Sequence, residues 1–144
     1  MIATIQFLSD VNYLAVFVAA LAYFVLGALW YSVLFGKTWG KGIEEMGIKM
    51  NRPDKGQMGV MMLKSFLWNL LAAFAMAYFI HLGYAYSALY GLKLGIVGGC
   101  GLSLASLGMT ANWQNTKTSV LVIDAGYQVL GMIVVSVIIS VWQF

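Results

Sequence analysis

Charged and amide side chains within apolar stretches are the residues of this sequence most able to do chemistry. Lys64 and Asp124 interrupt two different apolar stretches, and Asn69 and Gln128 follow them by five and four positions. A charge at the centre of a membrane helix costs about 2.5–3.5 kcal/mol, so such a residue needs a partner, a proton or access to water. Lys64 can extend its ammonium group to the headgroups, whereas the short side chain of Asp124 cannot.

These four residues are expected to form a polar seam inside a helical bundle. Asp124 and Gln128 share a helix face because they are four positions apart. Lys64 and Asp124 lie at similar depth, so the sequence predicts an ion pair or a hydrogen bond between them. Such bonds average about 0.6 kcal/mol in membranes, which is enough to fix helix order. This structural role is favoured over the alternative, a protonatable site in a transport path.

Residue combinations that carry catalysis or bind metals are missing from the sequence. It has one histidine, His81, and one cysteine, Cys100, whereas metal sites need several ligands at close spacing. His81 and Asp124 are predicted at opposite sides of the membrane, which argues against a Ser–His–Asp arrangement. No phosphate-binding glycine loop followed by Lys-Ser/Thr occurs. We therefore expect no enzyme, no metal and no cofactor.

The composition around these residues is typical of a membrane protein. Of 144 residues, 62% are hydrophobic and 9% charged, and the mean hydropathy is +0.86, whereas a soluble domain is roughly 25% charged. Four apolar stretches cover residues 12–35, 60–80, 88–109 and 119–142. Each can cross a hydrocarbon core about 30 Å thick as a helix. The sequence predicts a single all-α domain over residues 1–144, an integral membrane, antiparallel bundle of four transmembrane helices.

The connections differ in length and polarity. Residues 37–59 form a polar loop. Within it, residues 41–50 are either a short amphipathic helix on the headgroups or an irregular segment, because glycines weaken a helix there. The two later connections are short, so consecutive helices are expected to be antiparallel neighbours.

Basic residues predict the orientation. Seven of the eight lie in or beside the first and third loops, namely Lys37, Lys41, Lys49, Arg52, Lys55, Lys64 and Lys117. Lys93 alone belongs to the opposite side. The first and third loops are therefore expected to be cytoplasmic and both termini external. Because these charges follow the membrane edges, the formal net charge of +3 does not indicate a nucleic-acid partner.

Small residues recur every four positions along the third apolar stretch. Gly91, Gly95, Gly99 and Ser103 form a stripe that allows another helix to approach closely. The approaching helix belongs either to the same chain or to a second subunit, and both remain open. With the lipid bilayer as its surroundings, the chain is expected to form a homo-oligomer or join a larger membrane complex.

Two motifs resemble those of a known family. The first is Gly-x-x-Trp-Tyr-Ser-x-x-Phe-Gly-Lys-x-Trp, from Gly27 to Trp39, and the second is Ile-Asp-Ala-Gly-Tyr, from Ile123 to Tyr127. Both are similar to motifs of a bacterial membrane family catalogued as domain of unknown function 1761. The resemblance covers nearly the whole chain. It implies four transmembrane helices in a bacterial inner membrane and no particular activity.

In physical terms the first motif is typical of a helix leaving the membrane. Trp30, Tyr31 and Trp39 are expected to anchor at headgroup depth, and Lys37 to meet the phosphates and the helix C-terminus. Gly36 is expected to end the helix at a positive φ. The alternative is a site for a lipid headgroup between the helices, because Trp30, Tyr31, Lys64 and Asp124 all approach the cytoplasmic leaflet.

These observations lead to one favoured function and two alternatives. The favoured function is a non-enzymatic oligomeric or accessory subunit that packs through the glycine-rich third helix. The alternatives are a small proton-coupled transporter that uses Asp124, and a lipid-binding membrane protein.

Overall fold

Four long apolar helices form the body of the protein. The computed structural model describes residues 2–49, 53–84 and 86–142, with the backbone alone for residues 2–5, so Met50 and Arg52 lie outside the described residues. The helices in these ranges are α1 (Ile2–Asp10), α2 (Tyr13–Leu34), α3 (Gly36–Glu45), α4 (Lys55–Gly83), α5 (Ala88–Trp113) and α6 (Thr118–Trp142). Of these, α2, α4, α5 and α6 are long and apolar enough to cross a membrane. The predicted all-α bundle of four spans is confirmed.

Short polar side chains determine where three of the spans begin. The Oδ1 atom of Asn12 accepts the Ala15 N–H of α2 at 3.0 Å, and Ser87 caps α5 in the same way. At the start of α4, Asp54 and Gln57 each accept a backbone N–H from the other. Each cap satisfies backbone donors that helix geometry leaves free, and stabilises its helix by about 1 kcal/mol.

The last span, α6, is the central helix of the bundle. It packs against α2, α4 and α5, and its pairing with α5 is the most extensive in the structure. In contrast, α5 makes little direct contact with α4, although residues 84–87 are all that join them. The expectation that consecutive spans are close neighbours therefore fails for α4 and α5.

The glycine stripe of α5 explains this choice of partner. A Cβ atom on Gly91, Gly95 or Gly99 would lie 2.6, 2.5 or 2.8 Å from the nearest backbone atom of α6. Only residues without a side chain allow the two backbones to pack this closely. Ser103, the last residue of the stripe, is half-buried. The structure thus places the three glycines against a helix of the same chain.

The short helix α3 lies against the start of α6, at the end of the bundle that holds the first and third connections. We call this end the basic end and the other the termini end. Of the two alternatives for residues 41–50, the helix is correct for the first half, because α3 ends at Glu45, and residues 46–49 form a turn and an irregular segment. A Cβ atom on Gly42 would lie 2.5 Å from Val120 Cγ2, so a glycine expected to weaken this helix instead permits its close packing. An ion pair between Lys117 and Glu45 joins α3 to the last connection.

At the termini end, α1 covers the bundle, and no helix was predicted there. Phe7 is 2% exposed, and its ring centroid lies 5.3 Å from that of Phe74 and 5.1 Å from that of Tyr78. The Asn12 amide donates to the Trp142 carbonyl oxygen at 3.0 Å. The start of the first span is thereby joined to the end of the last.

The packing of α5 on α6 gives a first prediction. Gly95→Ala should lower the free energy of unfolding by about 1–3 kcal/mol, the usual cost of overpacking, because the α6 backbone cannot yield. Gly101→Ala is the matched control, since nothing lies within 4 Å of the added Cβ atom. Thermal unfolding in detergent, followed by circular dichroism, measures both. Equal stability of the two variants would contradict the packing.

Candidate functional site

The Asp124 carboxylate is bound by two neutral donors from two other helices. Its Oδ1 atom accepts the Tyr31 hydroxyl of α2 at 2.7 Å and the Trp39 indole N–H of α3 at 2.9 Å. The two donor rings also pack on each other, edge to face, with centroids 5.4 Å apart. One carboxylate oxygen therefore fixes the relative positions of α2, α3 and α6.

A local change in helix geometry brings Tyr31 and Trp39 to the same oxygen. Residues Trp30–Leu34 form a π-helical turn, in which the Phe35 N–H donates to the Trp30 carbonyl at 2.8 Å. The wider turn changes the rotational phase of the chain before α3 starts. A Cβ atom on Gly36 would lie 2.5 Å from the Tyr31 carbonyl oxygen. Glycine is thus required there by this close approach.

The predicted reason for Gly36 was therefore wrong. Gly36 does not adopt a positive φ; among the glycines in the described part of the chain, that conformation belongs to Gly47, at +79°. Gly47 follows α3, and its N–H donates to the Glu44 carbonyl at 2.9 Å. The glycine stop expected for the first span thus occurs one helix later.

The two family-like motifs meet where α2 crosses α6. Each helix presents a glycine to an aromatic ring of the other: Gly27 faces Tyr127, and Gly126 faces Trp30. The Trp30 indole N–H donates to the Ile123 carbonyl oxygen at 3.0 Å. Residues that are about 90 positions apart in the sequence therefore form one interlocked contact.

Two further polar pairs continue the cluster toward the middle of the bundle. The Tyr23 hydroxyl donates to Gln128 Oε1 at 2.5 Å, and its ring fills the space left by Gly131. The Asn69 amide donates to the Tyr127 hydroxyl at 3.4 Å. Asn69, Asp124 and Gln128 are therefore all bonded within the bundle, as the seam required, although each bonds to an aromatic residue.

Lys64 does not belong to this cluster, and its predicted pairing with Asp124 is wrong. Lys64 is exposed, beside Leu67 and Trp68 on the outer face of α4. It follows from helix geometry that Lys64 and the buried Asn69, five positions apart, point about 140° away from each other. Similar depth in the membrane was therefore insufficient to pair Lys64 with Asp124, because their directions differ.

The residues predicted as interfacial anchors have internal partners as well. The indole N–H groups of Trp30 and Trp39 and the hydroxyl of Tyr31 all donate to α6. These three side chains are half-buried, whereas Lys37 is exposed. The polar atoms of the aromatic residues are thus used to join helices, and Lys37 alone keeps its polar atom at the surface.

The carboxylate of Asp124 also lines a pocket of about 160 Å³ at the basic end. This Asp124 pocket lies between α3, the end of α5 and the start of α6. Thr110, Gln114 and Thr116 contribute polar groups to its wall, and Ile43 of α3 and Met46, the residue after α3, contribute apolar ones. Within the described ranges, the bonds to Asp124 both use Oδ1, so Oδ2 is left to accept a further donor.

Sequence reasoning missed the hydrogen-bond donor roles of three aromatic residues. Tyr31 and Trp39 were interpreted as anchors rather than as donors to Asp124, and Tyr23 was not singled out. One signal was present for Tyr23, since a hydroxyl in the middle of an apolar helix usually bonds to a partner. For Tyr31 and Trp39, the available signal was the pair of family-like motifs. Both residues lie in the first motif, and Asp124 lies in the second.

Comparison with known proteins identifies a family. The family model described as "Protein of unknown function (DUF1761)" matches residues 14–140 of the chain. No curated protein and no solved structure matches the chain.

The bonds to Asp124 give a second prediction. Tyr31→Phe and Trp39→Phe should each lower the free energy of unfolding by about 1.5–3 kcal/mol, since each removes a hydrogen bond to a charged group. In an Asp124→Leu background the same changes should cost much less, because the bond is already absent. Trp113→Phe, at an 85% exposed position, is the control. Equal costs in both backgrounds would show that the bonds do not stabilise the fold.

Proposed function

The chain belongs to the DUF1761 family, whose function is unknown, and we propose that it is a non-enzymatic membrane protein that binds a cationic group at Asp124. It is a multi-pass protein with four candidate spans. The ligand is an amphiphile, and its cationic head group is the part that enters the site.

One observation carries this proposal: Asp124 lies in an apolar span, and no cation lies beside it among the residues that the structure describes. In the described part of the chain, the ion pairs are Lys41–Glu45 and Lys117–Glu45. Neutral donors stabilise a carboxylate, but they do not cancel its charge, and a charge in an apolar environment is strongly favoured to pair. A bound ammonium group would donate to Oδ2 and supply the missing charge.

The size and lining of the Asp124 pocket support a small head group. Its volume of about 160 Å³ is below the roughly 300–1,000 Å³ of sites that enclose whole small ligands. Threonine and glutamine side chains on its wall offer further hydrogen bonds to a polar head. An apolar tail would then remain outside the pocket, against α3 and α5.

The chemistry of the same residues supports a non-enzymatic role. The described side chains that line the pocket contain Asp124 as their single ionisable group. Hydrolysis or group transfer would need a second acid or base, a nucleophile or a metal beside it. The pocket is thus suited to binding, as expected for an accessory protein.

A ligand-binding experiment at Asp124 also distinguishes this proposal from the other functions considered from the sequence. Assembly through the third helix loses its main support, because the three glycines already contact α6. A proton on Asp124 would also neutralise the site, as proton-coupled transport requires. In that case cationic ligands would not bind, and proton flux into liposomes would depend on Asp124.

Ligand binding at Asp124 gives a third prediction. Trp68, Trp113 and Trp142 are exposed and are replaced by phenylalanine, so that Trp39 reports on the site together with Trp30. Dodecylammonium should produce a saturable change in fluorescence, and dodecanol should not. Asp124→Asn should weaken dodecylammonium binding at least about tenfold, because it removes a charge-assisted hydrogen bond.

The control for this experiment is Glu44→Gln. It removes the same charge from an exposed position at the same end of the bundle, and binding should be unchanged. Equal binding by wild type and Asp124→Asn would exclude the proposed site.

The orientation in the bacterial inner membrane is proposed from the charge distribution and gives a fourth prediction. In a Cys100→Ser background, an impermeant maleimide should label Asp10→Cys in intact spheroplasts, because the termini end is expected outside. Glu44→Cys, on α3, should be labelled only after the membrane is permeabilised. The reverse pattern would overturn the orientation.

A further inference from the structure

The lining of the Asp124 pocket lacks the surface that binds fully methylated cations. Quaternary ammonium groups have no N–H bond, and proteins recognise them with the faces of aromatic rings. Among the described residues, this lining contains aliphatic, methionine, threonine and glutamine side chains beside Asp124, and no aromatic ring. Tyr31 and Trp39 donate to Asp124 Oδ1 and are not part of the lining. A quaternary head group would therefore find its charge partner here but no aromatic face.

The pocket offers hydrogen-bond acceptors instead. Thr110 donates its hydroxyl hydrogen to the Ser106 carbonyl oxygen at 3.1 Å, so its Oγ1 atom can only accept a further bond. Asp124 Oδ2 can accept as well, because both bonds to this carboxylate within the described ranges use Oδ1. The Thr116 hydroxyl and the Gln114 amide oxygen add acceptors to the wall. The pocket can thus accept several N–H groups from one head group.

A primary ammonium group matches these acceptors. It carries three N–H donors and no acceptor, so Asp124 Oδ2 can take one donor and the threonine and glutamine oxygens can take the others. Each methyl group on the nitrogen removes one donor and leaves the positive charge unchanged. Bonds from a charged donor are roughly twice as strong as neutral ones. The pocket can therefore discriminate by the number of N–H groups as well as by charge.

The pocket also lacks a partner for an anion. The described residues that line it include no lysine, arginine or histidine, and Lys117, which follows Thr116 in the chain, is paired with Glu45. The ethanolamine head of a phospholipid carries a phosphate a few bonds from its ammonium group. That phosphate would lie close to the Asp124 carboxylate without a cation to pair with, which is unfavourable in an apolar environment. A simple alkylammonium brings no such second charge.

We propose that the Asp124 pocket selects primary alkylammonium amphiphiles over quaternary and zwitterionic ones, and that Thr110 is a residue that determines this specificity. The inference rests on the cation site proposed at Asp124 and adds the chemistry of the head group that the site takes. Thr110 belongs to α5 and Asp124 to α6, so the bound head group bridges these two helices at the basic end.

A methylation series tests this selectivity. Dodecylammonium and its N-methyl, N,N-dimethyl and N,N,N-trimethyl forms carry the same charge at neutral pH and have successively fewer N–H groups. Binding is followed by the fluorescence of the full chain in which Trp30 and Trp39 are the remaining tryptophans. Each dissociation constant is expressed per concentration in the micelle phase, which removes differences in partitioning.

The trimethyl form should bind at least about tenfold more weakly than the primary form, because it has lost every charge-assisted hydrogen bond. If charge and apolar area alone decided the affinity, the added methyl groups would strengthen binding instead. The two explanations therefore predict opposite trends along the series. Equal or tighter binding of the trimethyl form would overturn the selectivity, while the cation site would stand if binding still depended on Asp124.

Variants of Thr110 assign the preference to one side chain. Valine has the shape of threonine without its oxygen, so Thr110→Val should reduce the preference for the primary form about threefold, the effect of one hydrogen bond in a membrane. Thr110→Ser keeps the hydroxyl and should keep the preference. Thr38→Val makes the matched change at an exposed position of α3 outside the lining and should have no effect. An unchanged preference in Thr110→Val would contradict the role of Thr110.

Dodecylphosphoethanolamine tests the exclusion of zwitterionic heads. It carries a primary ammonium group together with a phosphate, and should bind at least about tenfold more weakly than dodecylammonium, because the phosphate meets a like charge. Binding as tight as that of dodecylammonium would overturn the proposed selectivity. Failure of the cation site itself has a different signature, since none of the cations would then give a saturable signal that depends on Asp124.

Discussion

The need to satisfy one carboxylate inside an apolar span organises the basic end of this protein. Asp124 is too short to reach the headgroups, so its hydrogen-bond donors must come from other helices. Tyr31 and Trp39 supply them, and both can do so only because a π-helical turn and a sharp change of direction separate α2 from α3. A helix that continued straight into the loop would carry Trp39 away from α6. The two hydrogen bonds to Asp124 thus shape both the end of the first span and the start of the last.

Close contact between helices gives the rest of the bundle its order. Hydrophobic burial cannot arrange helices in lipid, because lipid tails are as apolar as the helices themselves. Shape and hydrogen bonding must therefore decide which helices pack together. In this chain, glycines provide the shape: those of α5 admit the backbone of α6, and those on α2 and α6 admit aromatic rings of the partner helix. As a result, α6 contacts all three other spans and carries Asp124, the central residue of the candidate site.

The proposed cation site lies on one side of this arrangement. The Asp124 pocket opens between α3, α5 and α6. Tyr31 reaches the site from α2 through its hydroxyl, which donates to Asp124. Binding and packing together therefore explain the aromatic residues of the first motif. A role in anchoring the helix at the headgroups would not require these contacts.

The sequence by itself determined the four spans, their all-α class and the family, and it identified Asp124, Asn69 and Gln128 as polar residues that need partners inside the bundle. These follow from local properties, since the length and hydropathy of a segment decide whether lipid can solvate it. Only the tertiary structure decided that Asp124 bonds to Tyr31 and Trp39 rather than to Lys64, that the α5 glycines face α6, and that Gly36 is needed beside the Tyr31 carbonyl. Such choices depend on how each helix is rotated about its axis. That rotation depends on backbone turns and on contacts between residues about 90 positions apart, which hydropathy and spacing along one segment do not record.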